Sequence, residues 1–140
     1  MERSDIIELS LPADYRYLNI VGAAIAALIE RIEGLDEPEI TSYNLQLVAQ
    51  EACANIVGHA YNNQPDGRIH ITVTVESTPP RVLIDLDDTG EPFEPESIPE
   101  PDLDDAQVHG YGLFLMRHLL DEVTYYPGAG NNRWHLVKNL

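Results

Sequence analysis

The spacing of apolar residues along this chain switches from strand-like to helical and back, and each switch places an element. Ser4 to Leu9 reads as a short strand. Pro12 then suits the first turn of a helix running to about Ile32 and ended by Gly34, with Val21, Ala24, Ile25, Leu28, Ile29 and Ile32 on its apolar face. After the turn DEPE, a second helix extends from about Glu39 to Tyr61 with Leu45, Val48, Ala49, Ala52 and Ile56 as its core stripe; Asn62, Asn63, Pro65, Asp66 and Gly67 break it. RIHITVTVE and RVLIDLDD, separated by STPP, are rich in β-branched residues and predict a hairpin. From Thr89 to His109, Pro92, Pro95, Pro99 and Pro101 stand among many acids with no period, which predicts a loop of roughly twenty residues, a length usual for lids. A third helix runs from near Gly110 to about Asp121, and VTYYP and NRWHLVKNL pair across GAGN. This order favours an α+β two-layer sandwich, a mixed, mainly antiparallel sheet with helices on one face, in one domain over residues 1–140.

Three stretches interrupt the core pattern with polar residues. In EACANIVGHAYNN, Glu51, Asn55 and His59 recur every fourth residue; four helical residues turn through about 400°, so the three side chains form one slowly drifting line. A carboxylate and an amide oxygen one turn apart suit a general base beside a magnesium ligand. The same spacing suits a solvated helix face with Asn62 as a cap, and His59 is expected to pack beneath a site rather than act as a ligand. LIDLDDTGEPF ends an apolar strand in Asp87, Asp88 and a Thr-Gly turn, delivering a carboxylate able to accept a hydrogen bond from an exocyclic amine such as adenine N6; an ordinary acidic turn gives the same pattern. HGYGLFLM sets two glycines before an amphipathic helix, which lets backbone N–H groups approach a phosphate and also suits a plain loop-to-helix junction.

Composition narrows the class. With 140 residues, 44% hydrophobic and 23% charged, the chain supports one core, and no apolar run reaches the roughly 20 residues a membrane span needs. MERSDIIEL lacks a signal-peptide pattern and Cys53 is the single cysteine, so a soluble protein of the reducing cytoplasm is expected. A net charge of −16 disfavours nucleic acid and anionic membranes as partners. A nucleotide's phosphates would have to be held by backbone N–H groups, a helix N-terminus and a divalent cation.

Taken in order around the long loop, these motifs resemble the ATPase and kinase superfamily shared by gyrase, the heat-shock chaperone, histidine kinases and a mismatch-repair protein (GHKL), with its Bergerat-type ATP-binding fold. EACANIVGHAY resembles the N box, DDTGEPFEP the first glycine box, HGYGLFLM the second, and GAGNNRWHLVK the last hairpin. Within the superfamily the chain is most similar to the small anti-sigma-factor serine/threonine kinases. The resemblance implies ATP and Mg²⁺ as cofactors, Glu51 as the base activating the attacking hydroxyl, and Asn55 as the magnesium ligand. It also implies that Asp88 reads adenine, Thr89 orients a water beside it, and Gly90 permits close approach of the base. Gly110, Tyr111, Gly112 and Leu113 match the phosphate-facing turn, and residues 89–109 the lid. The partners implied are an antagonist protein that accepts the phosphate and a sigma factor that is sequestered, with a possible homodimer.

Two positions depart from the pattern: Pro92 stands where the superfamily often has glycine, and His109 where the subfamily often does. No Lys or Arg occurs from Val82 to Met116, while Glu94, Glu96, Glu100, Asp102, Asp104 and Asp105 crowd the lid and repel a triphosphate unless magnesium, Arg117 or a partner compensates. Glu51 favours an enzyme; the acidic lid favours a non-catalytic nucleotide-binding or protein-interaction module of the same fold. A histidine-kinase catalytic part is disfavoured because no helical hairpin with a phosphorylatable His precedes it. Tyr15, Tyr17 and Leu18 suit either a partner surface or the core.

Overall fold

A computed structural model describes residues 4–62, 64, 66–92 and 111–140, with the Tyr111 side chain outside that set. The elements are β1 (Ser4–Pro12), α1 (Leu18–Ile29), α2 (Pro38–Asn55), β2 (Arg68–Ser77), β3 (Pro80–Asp88), α3 (Tyr111–Leu119), β4 (Glu122–Tyr126) and β5 (Asn132–Asn139). Among these residues one sheet carries five strands in the order β1-β2-β3-β5-β4, and every pairing is antiparallel, as a mainly antiparallel sheet requires, with no parallel pair among them.

Alternation along the strands makes the two layers. Ile69, Ile71 and Val73 of β2, Val82, Ile84 and Leu86 of β3, and Trp134 and Leu136 of β5 are buried in the core cluster with the buried stripes of the helices. Tyr125 stacks obliquely on Trp134 at 4.7 Å between ring centroids, a pair worth about 1 kcal/mol beyond its area. The opposite register is polar: Arg133 forks onto Asp87 at 2.7 and 3.2 Å, and His135 Nδ1 lies 2.6 Å from Asp85 Oδ1.

Helix α2 buries Leu45, Val48, Ala49, Ala52 and Cys53, with Ile56 just beyond, as the core stripe predicts. In α1, Val21, Ile25, Leu28 and Ile29 are buried, while Ala24 is only half-buried, as is Ile32 beyond the helix end. Pro12 does not open a helix. It is the last residue of β1, paired with Arg68 on the sheet's edge, where a missing N–H costs little. Asp14 then caps a 3-10 turn over Tyr15–Tyr17 by accepting from the Arg16 N–H at 3.0 Å, so α1 starts later than expected, and it stops at Ile29 rather than near Ile32. Gly34, at φ 82°, sits in the connection to α2. Leu18 belongs to the core, whereas Tyr15 is exposed. Helix α3 ends at Leu119, short of Asp121, whose N–H bonds to Val137 O instead. Among the described residues, no helix is long and apolar enough to cross a membrane.

Cys53 faces the core, where burial pushes its thiol up to about 12. Native protein at pH 8 is therefore expected to leave Cys53 unlabelled by a maleimide, with full labelling in denaturing urea. Rapid native labelling would contradict this packing.

Candidate functional site

Strand β3 brings two acids to the end of the sheet, and parity separates them. Asp87 points to the outer face and meets Arg133; Asp88 follows Leu86 and Ile84 inward and is 3% exposed. Its Oδ1 accepts from the Gly90 N–H and from Asn132 Nδ2, both at 3.0 Å. Asn132, fully buried opposite Asp88 on β5, also donates from Nδ2 to Gly90 O at 2.9 Å and accepts at Oδ1 from the Gly128 N–H at 3.2 Å. Burial raises the Asp88 pKa; the Asn132 and Gly90 hydrogen bonds pull it back, and neighbouring Asp87 adds to the rise. Its second oxygen bonds to no described residue, leaving one acceptor for a ligand.

The polar line on α2 holds for one step. Glu51 and Asn55 are half-buried one turn apart, and neither side chain hydrogen-bonds or ion-pairs with a described residue. Beyond Asn55 the helix widens into a π turn over Ile56–Ala60, where the Tyr61 N–H reaches Ile56 O at 3.2 Å. The wider turn rotates His59 off the line, and it is exposed rather than packed beneath the site. It also presents the Ala60 carbonyl to the loop after β3, where it accepts from the Glu91 N–H at 2.8 Å. A Cβ at Gly90 would collide with that carbonyl.

At the other end of this stretch, a Cβ at Gly112 would lie 2.6 Å from Glu51 Oε2, so the first turn of α3 rests directly on the carboxylate. Leu113 is buried in the core, which leaves its backbone N–H as the group to face a ligand. Tyr111 is the first residue of α3; Gly110 and residues 93–109 of the expected lid, His109 included, lie outside the described residues. The helical stretch from Glu51 to Ala60 is thus bordered by both glycine turns, at Glu51 by Gly112 and at Ala60 by Gly90. These groups suit an anion at the α3 N-terminus, an amine at Asp88 and a hydroxyl at Glu51. Among the described residues, no cluster of three or more His, Cys, Asp or Glu side chains is arranged to hold a metal, so a cation would need a bound ligand's own oxygens beside Asn55.

Two residues escaped the sequence reading. Asn132 is detectable as the single polar inward position before Trp134 and Leu136, once the register of β5 is known. Tyr61 reads as the end of a helix, yet its hydroxyl accepts from the Thr89 N–H at 2.9 Å and donates to Arg68 O at 2.7 Å.

Residues 11–137 match the family described as histidine kinase-like ATPase domain. Among curated proteins, the chain is 30% identical over 135 residues to the serine-protein kinase RsbW of Bacillus subtilis (strain 168), covering 91% of this chain and 81% of that protein. It is 35% identical over 101 residues to the serine/threonine-protein kinase BtrW of Bordetella bronchiseptica, covering 69% and 70%. In fold it is similar to the solved RsbU and RsbW domains of a Mycobacterium tuberculosis protein, with a TM-score of 0.70 at 18% identity, covering 97% of this chain and 32% of that one. The histidine kinase domain of Erythrobacter litoralis EL346 gives 0.59 at 19%, covering 92% and 61%.

Because the folded Asp88 holds its proton more tightly than an unfolded carboxyl, the folded state carries the extra proton. Stability therefore falls as pH rises from the ordinary 3.8 through the folded pKa. Asp88→Asn removes that cost while keeping an oxygen for Gly90 and Asn132. Its urea midpoint, relative to the parent, is expected to climb between acid and neutral pH; a difference constant with pH would refute the assignment.

Proposed function

The chain belongs to the histidine kinase-like ATPase domain family, and from that premise we propose that it binds ATP and transfers the terminal phosphoryl group to a serine or threonine of a small antagonist protein. When that partner is absent, it sequesters a sigma factor in the cytoplasm. One observation carries this reading: Glu51 lies against Gly112 while the end of the same helical stretch touches Gly90 beside Asp88. A molecule spanning that stretch would present a base at one end and phosphates at the other.

Asp88 Oδ2 accepts from the exocyclic amine of adenine, and Gly90 lets the ring approach. Backbone N–H groups in the first turn of α3, flanked by Gly112, receive the phosphates. Glu51 takes the proton of the attacking hydroxyl as its oxygen bonds to the terminal phosphorus; the bond to the bridging oxygen breaks and ADP leaves. Asn55 would hold a magnesium ion by its amide oxygen, and that ion, when bound, neutralises phosphate charge that a chain of net −16 does not offset. The acids of the lid favour a second reading, a module of the same fold that binds nucleotide weakly and acts by protein contact.

Purified protein incubated with labelled ATP, Mg²⁺ and an antagonist protein separates the two. Label transfer is expected, with Glu51→Ala lowering its rate about 10²- to 10⁴-fold while ATP binding persists. Binding without any transfer supports the module. Undiminished transfer by the variant removes Glu51 from the role of base. Asp88→Asn is expected to bind ATP and GTP with similar affinity, and a retained strong preference for ATP would argue against Asp88 as the adenine reader.

A further inference from the structure

Asn132 opens β5 fully buried, and its partners leave its amide one orientation. Gly90 O can only accept and the Gly128 N–H can only donate, so Nδ2 faces Gly90 at 2.9 Å and Oδ1 faces Gly128 at 3.2 Å. The second Nδ2 proton goes to Asp88 Oδ1 at 3.0 Å. That oxygen also accepts from the Gly90 N–H at 3.0 Å, so two groups that can only donate converge on it. Asp88 Oδ2 bonds to no described residue, yet among the described residues no buried side-chain oxygen or nitrogen lacks a partner. Oδ2 is therefore not sealed in, and the 3% of Asp88 that stays exposed includes it. A proton added to this carboxyl would point at two N–H groups if it sat on Oδ1. It sits on Oδ2.

We propose that Asn132 is a positioning and specificity-determining residue: by holding Oδ1 together with the Gly90 N–H, it makes Oδ2 the atom at which Asp88 both meets a ligand and gains or loses its proton. The carboxylate then shows a ligand an acceptor, which takes an amine; the acid shows it an O–H, which suits a carbonyl. For a purine, the first form selects a 6-amino group and the second admits a 6-oxo group. This rests on the reading of Asp88 as the base-facing acid, and Asn132 acts through Asp88 rather than on the reacting atoms. Burial favours the acid form and the Asn132 hydrogen bond opposes it. The titratable neighbour is Asp87 on the same strand, itself held by Arg133 on the outer face; β5 and the loop after β3 contribute the Asn132 amide and the Gly90 main chain.

The test is the ratio of GTP to ATP dissociation constants, titrated with Mg²⁺ from pH 8 to about 4, since phosphate ionisation is common to both nucleotides and cancels. In the parent the preference for ATP is expected to fall on acidification. Asp88→Asn copies the acid, its amide oxygen taking the two donors and its NH₂ standing at the Oδ2 position. Its ratio should be independent of pH and equal to the one the parent approaches in acid. Asn132→Val removes a donor from the carboxylate, so the proton is taken up at higher pH. Its ratio is expected to fall at higher pH than the parent's, with ATP weakened about threefold to tenfold at pH 8 and GTP affected less. Equal weakening of both nucleotides at every pH, or a curve that superimposes on the parent's, overturns the proposal. Should Asn132→Val not fold, the parent decides alone: a ratio constant across the range, while Asp88→Asn collapses it, overturns the proposal and leaves the site reading standing. A strong ATP preference retained by Asp88→Asn overturns the site reading itself, and the proposal with it.

Discussion

The carbonyl of Ala60 occupies the space that a side chain at position 90 would need, and the relation of the helical layer to the loop after β3 depends on that contact. The sheet and helices pack through apolar side chains, which fix distance well and rotation poorly. A backbone hydrogen bond from Glu91 to the same carbonyl fixes both. At the far end Gly112 rests on the Glu51 carboxylate, the tip of a side chain that can swing aside. Gly90 is thus required by the protein's own packing, in addition to any access it gives a ligand. A methyl group there would push the loop after β3 off the Ala60 carbonyl, whereas at Gly112 it would displace the Glu51 carboxylate.

Asp88 and Asn132 extend the inward register of β3 and β5 one step past the apolar core. Their place in the ladder is that of a Leu or Val, and a buried carboxylate there works against folding unless it is well bonded. Two hydrogen bonds to one oxygen supply part of that compensation, and the raised pKa records what is left uncompensated. A protein selected for stability alone would fill both positions with hydrocarbon. Keeping an acid with one oxygen unspent at this depth is the kind of local conflict expected where a ligand completes the bonding.

Much of this was legible from the chain. Among the described residues, the periods of 3.6 and 2 placed the five strands and three α-helices, though not the 3-10 turn at Tyr15–Tyr17, and the core stripe Leu45, Val48, Ala49, Ala52 and Ile56 is buried throughout. The end of β1 was misjudged because Pro12 suits a helix start by local chemistry, whereas cross-strand pairing with Arg68, a long-range fact, decides it. His59 was misplaced for a related reason: spacing of four assumes an α-helix, and the turn after Asn55 is wider. Motif order put Glu51, Gly112, Gly90 and Asp88 in one expected site; the contacts of Gly112 with Glu51 and of Gly90 with Ala60 are not given by that order. Asn132 became visible only with the register of β5, and Tyr61 only with its hydroxyl's three neighbours.

The π turn makes chain length itself a determinant between Asn55 and Tyr61. A π turn is an α-helix with one residue inserted, so a single deletion there would be absorbed by restoring ordinary pitch, with little penalty to the helix. The Ala60 carbonyl that meets Glu91 and the Tyr61 ring that rests on Gly67 would both be carried round to another side. The segment therefore works as a ruler whose length is set by the contacts it delivers rather than by the helix, although almost any apolar residue of similar bulk would satisfy its buried positions.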